Sequence, residues 1–255
     1  MGWETMTALS VIGILWLRQI KRYQRSPARI IGSLGQPLLF LLALGFGLGP
    51  VFAKAGGGDY FSFLVPGVIA MSILFTAVFG GIEIIWDRQF GFLKETMVAP
   101  VGRLTIMIGR TLGGATISFL QGALVLLLAV IFGFRFDPTL IPLAALFMFL
   151  IALLFSAFGT ALGSILEDMQ GFPLVMNFLM MPLFFLSGAL FPLEGLPKGL
   201  AIVTRLDPLT YGIDGLRSAL GSVSTFPLET NIAVLCVVSV AFLALGGWLF
   251  SRIQA

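Results

Sequence analysis

Read for polar and apolar positions, the chain is a series of long hydrophobic runs separated by short polar breaks, without the two-residue alternation of strands. Runs of more than about 20 apolar residues suit α-helices crossing a hydrocarbon layer of about 30 Å; a membrane barrel would need alternating segments of about ten. The pattern predicts an all-α, polytopic membrane protein with six spans, near 29–51, 60–86, 104–134, 138–166, 172–190 and 231–250. Pro37 falls inside span 1 and should kink it. Spans 3 and 4 exceed a simple crossing, so they must tilt or project. Each carries small residues at every fourth position, Gly114, Ser118 and Gly122 in one and Gly159 with Gly163 in the other, which lets neighbouring backbones approach closely.

Three segments break this rhythm. Residues 1–28 hold an apolar run, 8–17, that is too short to cross and is followed by Arg18, Lys21, Arg22 and Arg25. A secretory signal carries its charge before the apolar run. The reversed order predicts an interfacial helix lying in the membrane plane, with Trp16 and Tyr23 at headgroup depth. Residues 87–103 gather Asp87, Arg88, Lys94, Glu95 and Arg103 between two spans, so this stretch must leave the hydrocarbon for water. Residues 187–230, broken by proline and glycine, contain two apolar pieces, 196–203 and 209–220, too short to cross. Such helices are tolerated at membrane depth only where protein or water satisfies their backbone. The whole of 1–255 reads as one transmembrane domain.

Composition sharpens the class. With 58% hydrophobic residues and 25 phenylalanines, the chain holds more apolar surface than a soluble fold of its length could hide. A net charge of +3 spread over loops is weak support for nucleic acid, which is not an expected partner, and serves better as an orientation signal. With the N-terminus in the cytoplasm, ten Lys and Arg side chains fall inside and five outside. Both termini are then cytoplasmic, in a multi-pass protein of the cell inner or plasma membrane. Residues 87–103 and the turn at Glu167 and Asp168 face the same compartment, and 187–230 the far side. Cys236 is the single cysteine, so no intrachain disulfide can form.

Reaction chemistry is sparse. There is no histidine and no acidic pair deep in a span, so a metal site, a haem site or a carboxylate proton relay has nothing to be built from. None of the four lysines follows a glycine, so the G-K-[ST] that cradles nucleotide phosphates is missing. The chain is not expected to be an enzyme or to hold a cofactor of its own; ATP and its Mg²⁺ would belong to another chain. Glu83 lies within span 2, one turn before Asp87. It either pairs with a base such as Arg110 or relays movement of the charged stretch into the span. A self-contained channel or secondary transporter would call for polar groups at the midplane, which are scarce, while a scaffold subunit of a larger membrane complex stays compatible with the composition.

DRQFGFLKETMVAPVGRLTIMIGR, followed by a long span, and SGALFPLEGLPKGLAIVTRLDPLTYGIDGLRSAL before the last span resemble the permease subunits of type 2 ATP-binding-cassette exporters, nearest the daunorubicin-resistance and nodulation-factor export types. The likeness covers nearly the whole chain. It implies six-helix permeases that form homodimers, each docking a separate cytoplasmic ATPase through the N-terminal helix and the loop after span 2. It further implies a short coupling helix at 90–95, with Glu95 placed to pair with the ATPase. The cargo, a drug, a lipid or a lipid-linked glycan, is left open.

Three sets of residues follow as candidates. For ATPase coupling, Phe90, Phe92 and Leu93 would be the buried anchors, with Arg88, Lys94, Glu95, Arg103, Glu167 and Asp168 as rim charges. For the pathway, Met71, Phe75 and Phe79 on span 2 and Phe178, Met181 and Phe185 on span 5 form helical stripes suited to hydrophobic or amphipathic cargo. For the far side, Gly188 and Pro192 shape bends, Asp207 caps a helix begun by Pro208, and Tyr211, Asp214 and Arg217 lie along it, the last two paired on its surface. This segment acts either as a lid on the outer mouth or as a static plug. Membrane lipid surrounds the whole.

Overall fold

In the computed structural model, which describes residues 8–54, 59–91, 102–193 and 195–251, every regular element is helical. Five stretches are long and apolar enough to cross a membrane: Pro27–Lys54, Tyr60–Gln89, Arg103–Ile131, Pro138–Ile165 and Leu228–Phe250. The sixth expected span is a helix of 16 residues, Gly171–Leu186, about 24 Å long at 1.5 Å per residue and short of a full crossing. It ends early because the chain turns at Gly188, whose φ of 75° only glycine adopts readily.

The first span is composite: α2 (Pro27–Leu39), a π-helical stretch (Phe40–Phe46) and α3 (Gly47–Lys54). Pro37 offers no N–H to the preceding turn and crowds the carbonyl four residues back, and the helix widens just beyond it. The second span divides into α4 (Tyr60–Phe79) and α5 (Ile82–Gln89). At Gly80 and Gly81 shorter i→i+3 bonds intervene, Gly81 N to Val78 O at 3.0 Å and Ile84 N to Gly81 O at 3.1 Å. The remaining helices are α6 (Arg103–Ile131), α7 (Ile141–Ile165), α8 (Gly171–Leu186), α9 (Lys198–Leu206), α10 (Pro208–Ala219) and α11 (Leu228–Ser251), with α1 (Ala8–Gln24) preceding the first span.

Helix α4 is apolar on every side, and it occupies the centre, against α2, α6, α7, α8 and α10. The small-residue stripes make the close contacts expected of them. Gly81 abuts the backbones of Gly159 and Gly163 on α7; a Cβ on Gly159 would stand 2.6 Å from the Val78 carbonyl oxygen. Gly122 on α6 makes room for Ile73 of α4. Lipid chains are as apolar as leucine, so this association rests on van der Waals fit rather than on escape from water.

Helix α1 is laid along α6. Gly109 faces Ile12 and Leu15, Gly113 faces Gln19, the Trp16 indole donates to Thr116 Oγ1 at 3.0 Å, and the Tyr23 hydroxyl donates to Gln121 Oε1 at 2.9 Å. Both helices advance in step over these contacts, so α1 runs parallel to α6 for three turns instead of lying across its end. Burial raises the Tyr23 pKa above its ordinary value of 10.0, with Arg29 opposing, so the phenol stays protonated as the donor.

At the opposite end, α10 is built into the bundle against α7 and α11, with Gly215 accommodating the Phe147 ring, whereas α9 keeps Ile202 and Leu206 exposed. Asp207 caps α10, its Oδ1 accepting from Leu209 N at 2.9 Å, and the Tyr211 hydroxyl donates to the Arg205 carbonyl. Burial pushes the Asp207 carboxyl up to about 7, against that hydrogen bond. Asp214 and Arg217 do not form the expected surface pair. Both are buried: Asp214 accepts from Thr225 N, Phe226 N and Asn231 Nδ2, while Arg217 donates to the Gly188 carbonyl and lies over the Phe63 ring. Each side chain answers backbone groups or a ring from another segment, which outcompete a neighbour on the same helix. Pro192 is exposed beyond the Gly188 turn.

Candidate functional site

The break at Gly80 and Gly81 turns α5 so that its two acids meet the arginines of α1, α2 and α6. Asp87 receives Arg110 Nη2 at 2.6 Å and Arg18 Nη2 at 3.2 Å. Glu83, one turn away, receives Arg29 Nη1 at 3.3 Å and Arg22 Nη1 at 3.7 Å. Arg22 also stacks over the Trp86 ring, its guanidinium 5.2 Å from the centroid. Glu83 thus pairs with bases, but with Arg22 and Arg29 rather than with Arg110, the example its sequence reading offered. The parallel course of α1 along α6 brings Arg18 and Arg22 within reach of α5, and Arg110 points at Asp87, which is nearer its own level. The Asp87, Glu83 and Arg110 side chains are buried, and each is held there by at least one ion pair.

Above this network lies a cavity of about 570 Å³ between α1, α2, α4, α5, α6, α7 and α8. Its polar end carries Arg29, Glu83, Trp86 and Arg110, its walls Gln36, Ser72, Ser156, Thr160 and Asn177, and its apolar side Pro37, Met71, Phe75, Phe79, Ile117 and Met181. Of the two aromatic stripes, Met71, Phe75, Phe79 and Met181 meet here. Phe178 and Phe185 are not part of this cavity: they are 79% and 46% exposed on the outer face of α8. The turn of α8 that buries Phe172, Met176, Met180 and Phe184 necessarily directs them outward.

The candidate coupling residues divide. Arg88 donates to the Ser164 carbonyl at 2.8 Å and pairs with Glu167 at 3.4 Å, so these two tie the end of α5 to the end of α7. Asp168 caps α8, accepting from Gln170 N and Gly171 N at 2.9 Å each. Arg103 Nη1 reaches the Phe250 carbonyl, and Phe90 is exposed. Phe92, Leu93, Lys94 and Glu95 lie outside the described residues. Among the described residues no cluster of three or more metal-binding side chain types occurs.

Sequence reasoning had treated Arg18, Arg22 and Arg29 only as orientation signals, and it passed over Tyr23, Trp86 and Ser72 as lining residues. The available signal was the four-residue spacing of Arg18 with Arg22 and of Glu83 with Asp87, which matches two helices laid side by side.

Comparison with known proteins gives this architecture its context. The family model described as ABC-2 type transporter matches residues 10–220. The ycf38 permease of Cyanophora paradoxa is 30% identical over 253 residues, covering 94% of this chain and 87% of that protein. Nodulation protein J of Rhizobium leguminosarum bv. trifolii is 28% identical, covering 93% of each. The inner membrane transport permease YadH of Escherichia coli K12 is 29% identical, covering 89% of this chain and 90% of its own. A match over most of the length, on an all-helical polytopic fold, places this chain in the ABC-2 type transporter family as a membrane transport permease.

Proposed function

We propose that the chain is the permease subunit of an ATP-driven exporter that moves a hydrophobic or amphipathic molecule out of the cytoplasm, working as a homodimer with a separate ATPase that binds the ATP and Mg²⁺. The observation that carries this reading is the cavity, lined both by apolar side chains and by Arg29, Glu83 and Arg110 of the ion-pair network. α5 leads directly into residues 92–101, so a push on that segment acts on Glu83 and Asp87 and, through their four arginines, on α1, α2 and α6 together. Such a lever needs a force from outside, and no nucleotide-phosphate motif occurs in the sequence. The excess of Lys and Arg at this end orients it to the cytoplasm, with α9 and α10 on the far side.

The reading is tested by recovering the cognate ATPase with the tagged permease. Phe92→Ala and Glu95→Ala are each expected to reduce recovery by about tenfold, the scale of losing an anchoring side chain at an interface. Unchanged recovery and unchanged transport in both variants would remove the coupling role from this segment.

A further inference from the structure

Among the described residues, the charged side chains that line the cavity are Arg29, Arg110 and Glu83. Glu83 is already shared by Arg22 and Arg29, and Asp87 is taken up by Arg110 and Arg18. Arg110 is only 4% exposed, yet its Nε and Nη1 have no hydrogen-bond partner among the described residues. The Trp86 Nε1, on a residue that lines the same cavity, is likewise buried and unpartnered among the described residues. Buried donors left without acceptors are costly and uncommon, and here those of Arg110 and Trp86 belong to residues that line the cavity together with Arg29. A cationic ligand would meet the arginines, and a neutral acceptor would bond the donors without answering their charge. An oxyanion satisfies both, and a phosphate has an oxygen for each of several donors.

We propose that this cavity binds an amphiphile with a phosphate headgroup, the phosphate held by Arg29, Arg110 and Trp86 and the chain laid along Phe75 and Met181. The volume falls within the range of about 300–1,000 Å³ usual for small-ligand sites, enough for a headgroup and the first part of a chain. Calling this ligand the cargo rests on the export reading; the binding itself does not.

The test separates the two, because it needs neither ATPase nor transport. Purified permease in a neutral maltoside is incubated with equal concentrations of myristoyl lysophosphatidic acid, myristoyl lysophosphatidylcholine or inorganic phosphate, and retained adducts are counted by native mass spectrometry. The phosphate-headed lipid should be retained about tenfold more than the choline lipid, as expected for charge-assisted hydrogen bonds, and inorganic phosphate hardly at all. Arg29→Gln should bring the two lipids level, and Trp86→Phe, which breaks no ion pair, should reduce retention of the phosphate-headed lipid by about threefold. Lys21→Gln with Arg25→Gln, exposed positions on α1 and just past its end, should leave the preference intact. Equal retention of both lipids by the unmodified chain would overturn the proposal. So would retention of inorganic phosphate equal to the lipid's, or a preference abolished by the α1 surface substitutions but not by Arg29→Gln. A chain that passes this test and still fails to recruit its ATPase would overturn the export reading alone.

Discussion

Single residues carry this protein's polar chemistry, and almost all of it is decided by partners distant in sequence. Glu83 and Asp87 are visible in the sequence as two acids one helical turn apart, and Arg110 as a base near by. Which arginine meets which acid was not legible, because the answer depends on α1 running beside α6, a long-range contact that leaves no periodicity. The same holds for Asp214 and Arg217, whose spacing permits a pair that three partners from the 225–231 segment displace. Asp207 was legible, since an Asp-Pro junction ahead of an apolar piece marks a helix start. Its burial was not, and that has a measurable consequence. With a folded pKa of about 7 against an ordinary value of 3.8, the folded state keeps a proton between about pH 4 and 7 that the unfolded chain has released. Stability from this residue is therefore present at low pH and lost as pH rises through that window, by up to about 4 kcal/mol. The thermal midpoint in detergent should fall from pH 5 to pH 8, and Asp207→Asn should flatten that difference and exceed the unmodified protein at pH 8. An equal fall in the variant would assign the effect to other groups.

At the scale of elements, the hydrophobic pattern located the long helices to within a few residues, because a span must supply about 20 apolar positions in a row. It overestimated the fifth, where the apolar run continues past Leu186 but the backbone turns at Gly188. The small-residue stripes were also legible, and their partners have now appeared: Gly159 and Gly163 receive the broken helix at Gly81. That contact holds α5 at the angle from which its acids reach three other helices. Gly163→Leu should force α7 and α5 apart and misalign the whole network. The expected loss is about 1–3 kcal/mol or more, by the measure of overpacked cores, read as a lower thermal midpoint and a permease that no longer retains its ATPase. Gly199→Leu on exposed α9, where an added side chain meets nothing within 4 Å, should leave both unchanged. If Gly163→Leu behaves the same way, the close contact is not what orients α5.

For the molecule as a whole, the open question is what covers α8. Its two faces differ sharply: Phe172, Met176, Met180 and Phe184 are buried, while Leu174 and Phe178 are 74% and 79% exposed and Phe185 is 46% exposed. An apolar face is unremarkable against lipid, but α8 is about 24 Å long at 1.5 Å per residue, and a short helix in a layer of about 30 Å thins the bilayer or finds a protein neighbour. A second copy seated there would relieve the mismatch. It would also return Phe178 and Phe185 to the interior, opposite their counterparts, and extend the cavity's apolar side, through Met181, to the dimer axis. Helix α11 offers the comparison, since Val237 and Val240 are 68% and 65% exposed on a helix of full spanning length. In a Cys236→Ser background, Phe178→Cys and Leu174→Cys should form disulfide-linked dimers in native membranes within minutes of mild oxidation, and Val237→Cys and Val240→Cys should not. If all four positions link at the same slow, collision-limited rate, α8 faces lipid in the membrane, and any cargo path must run through the cavity of a single chain.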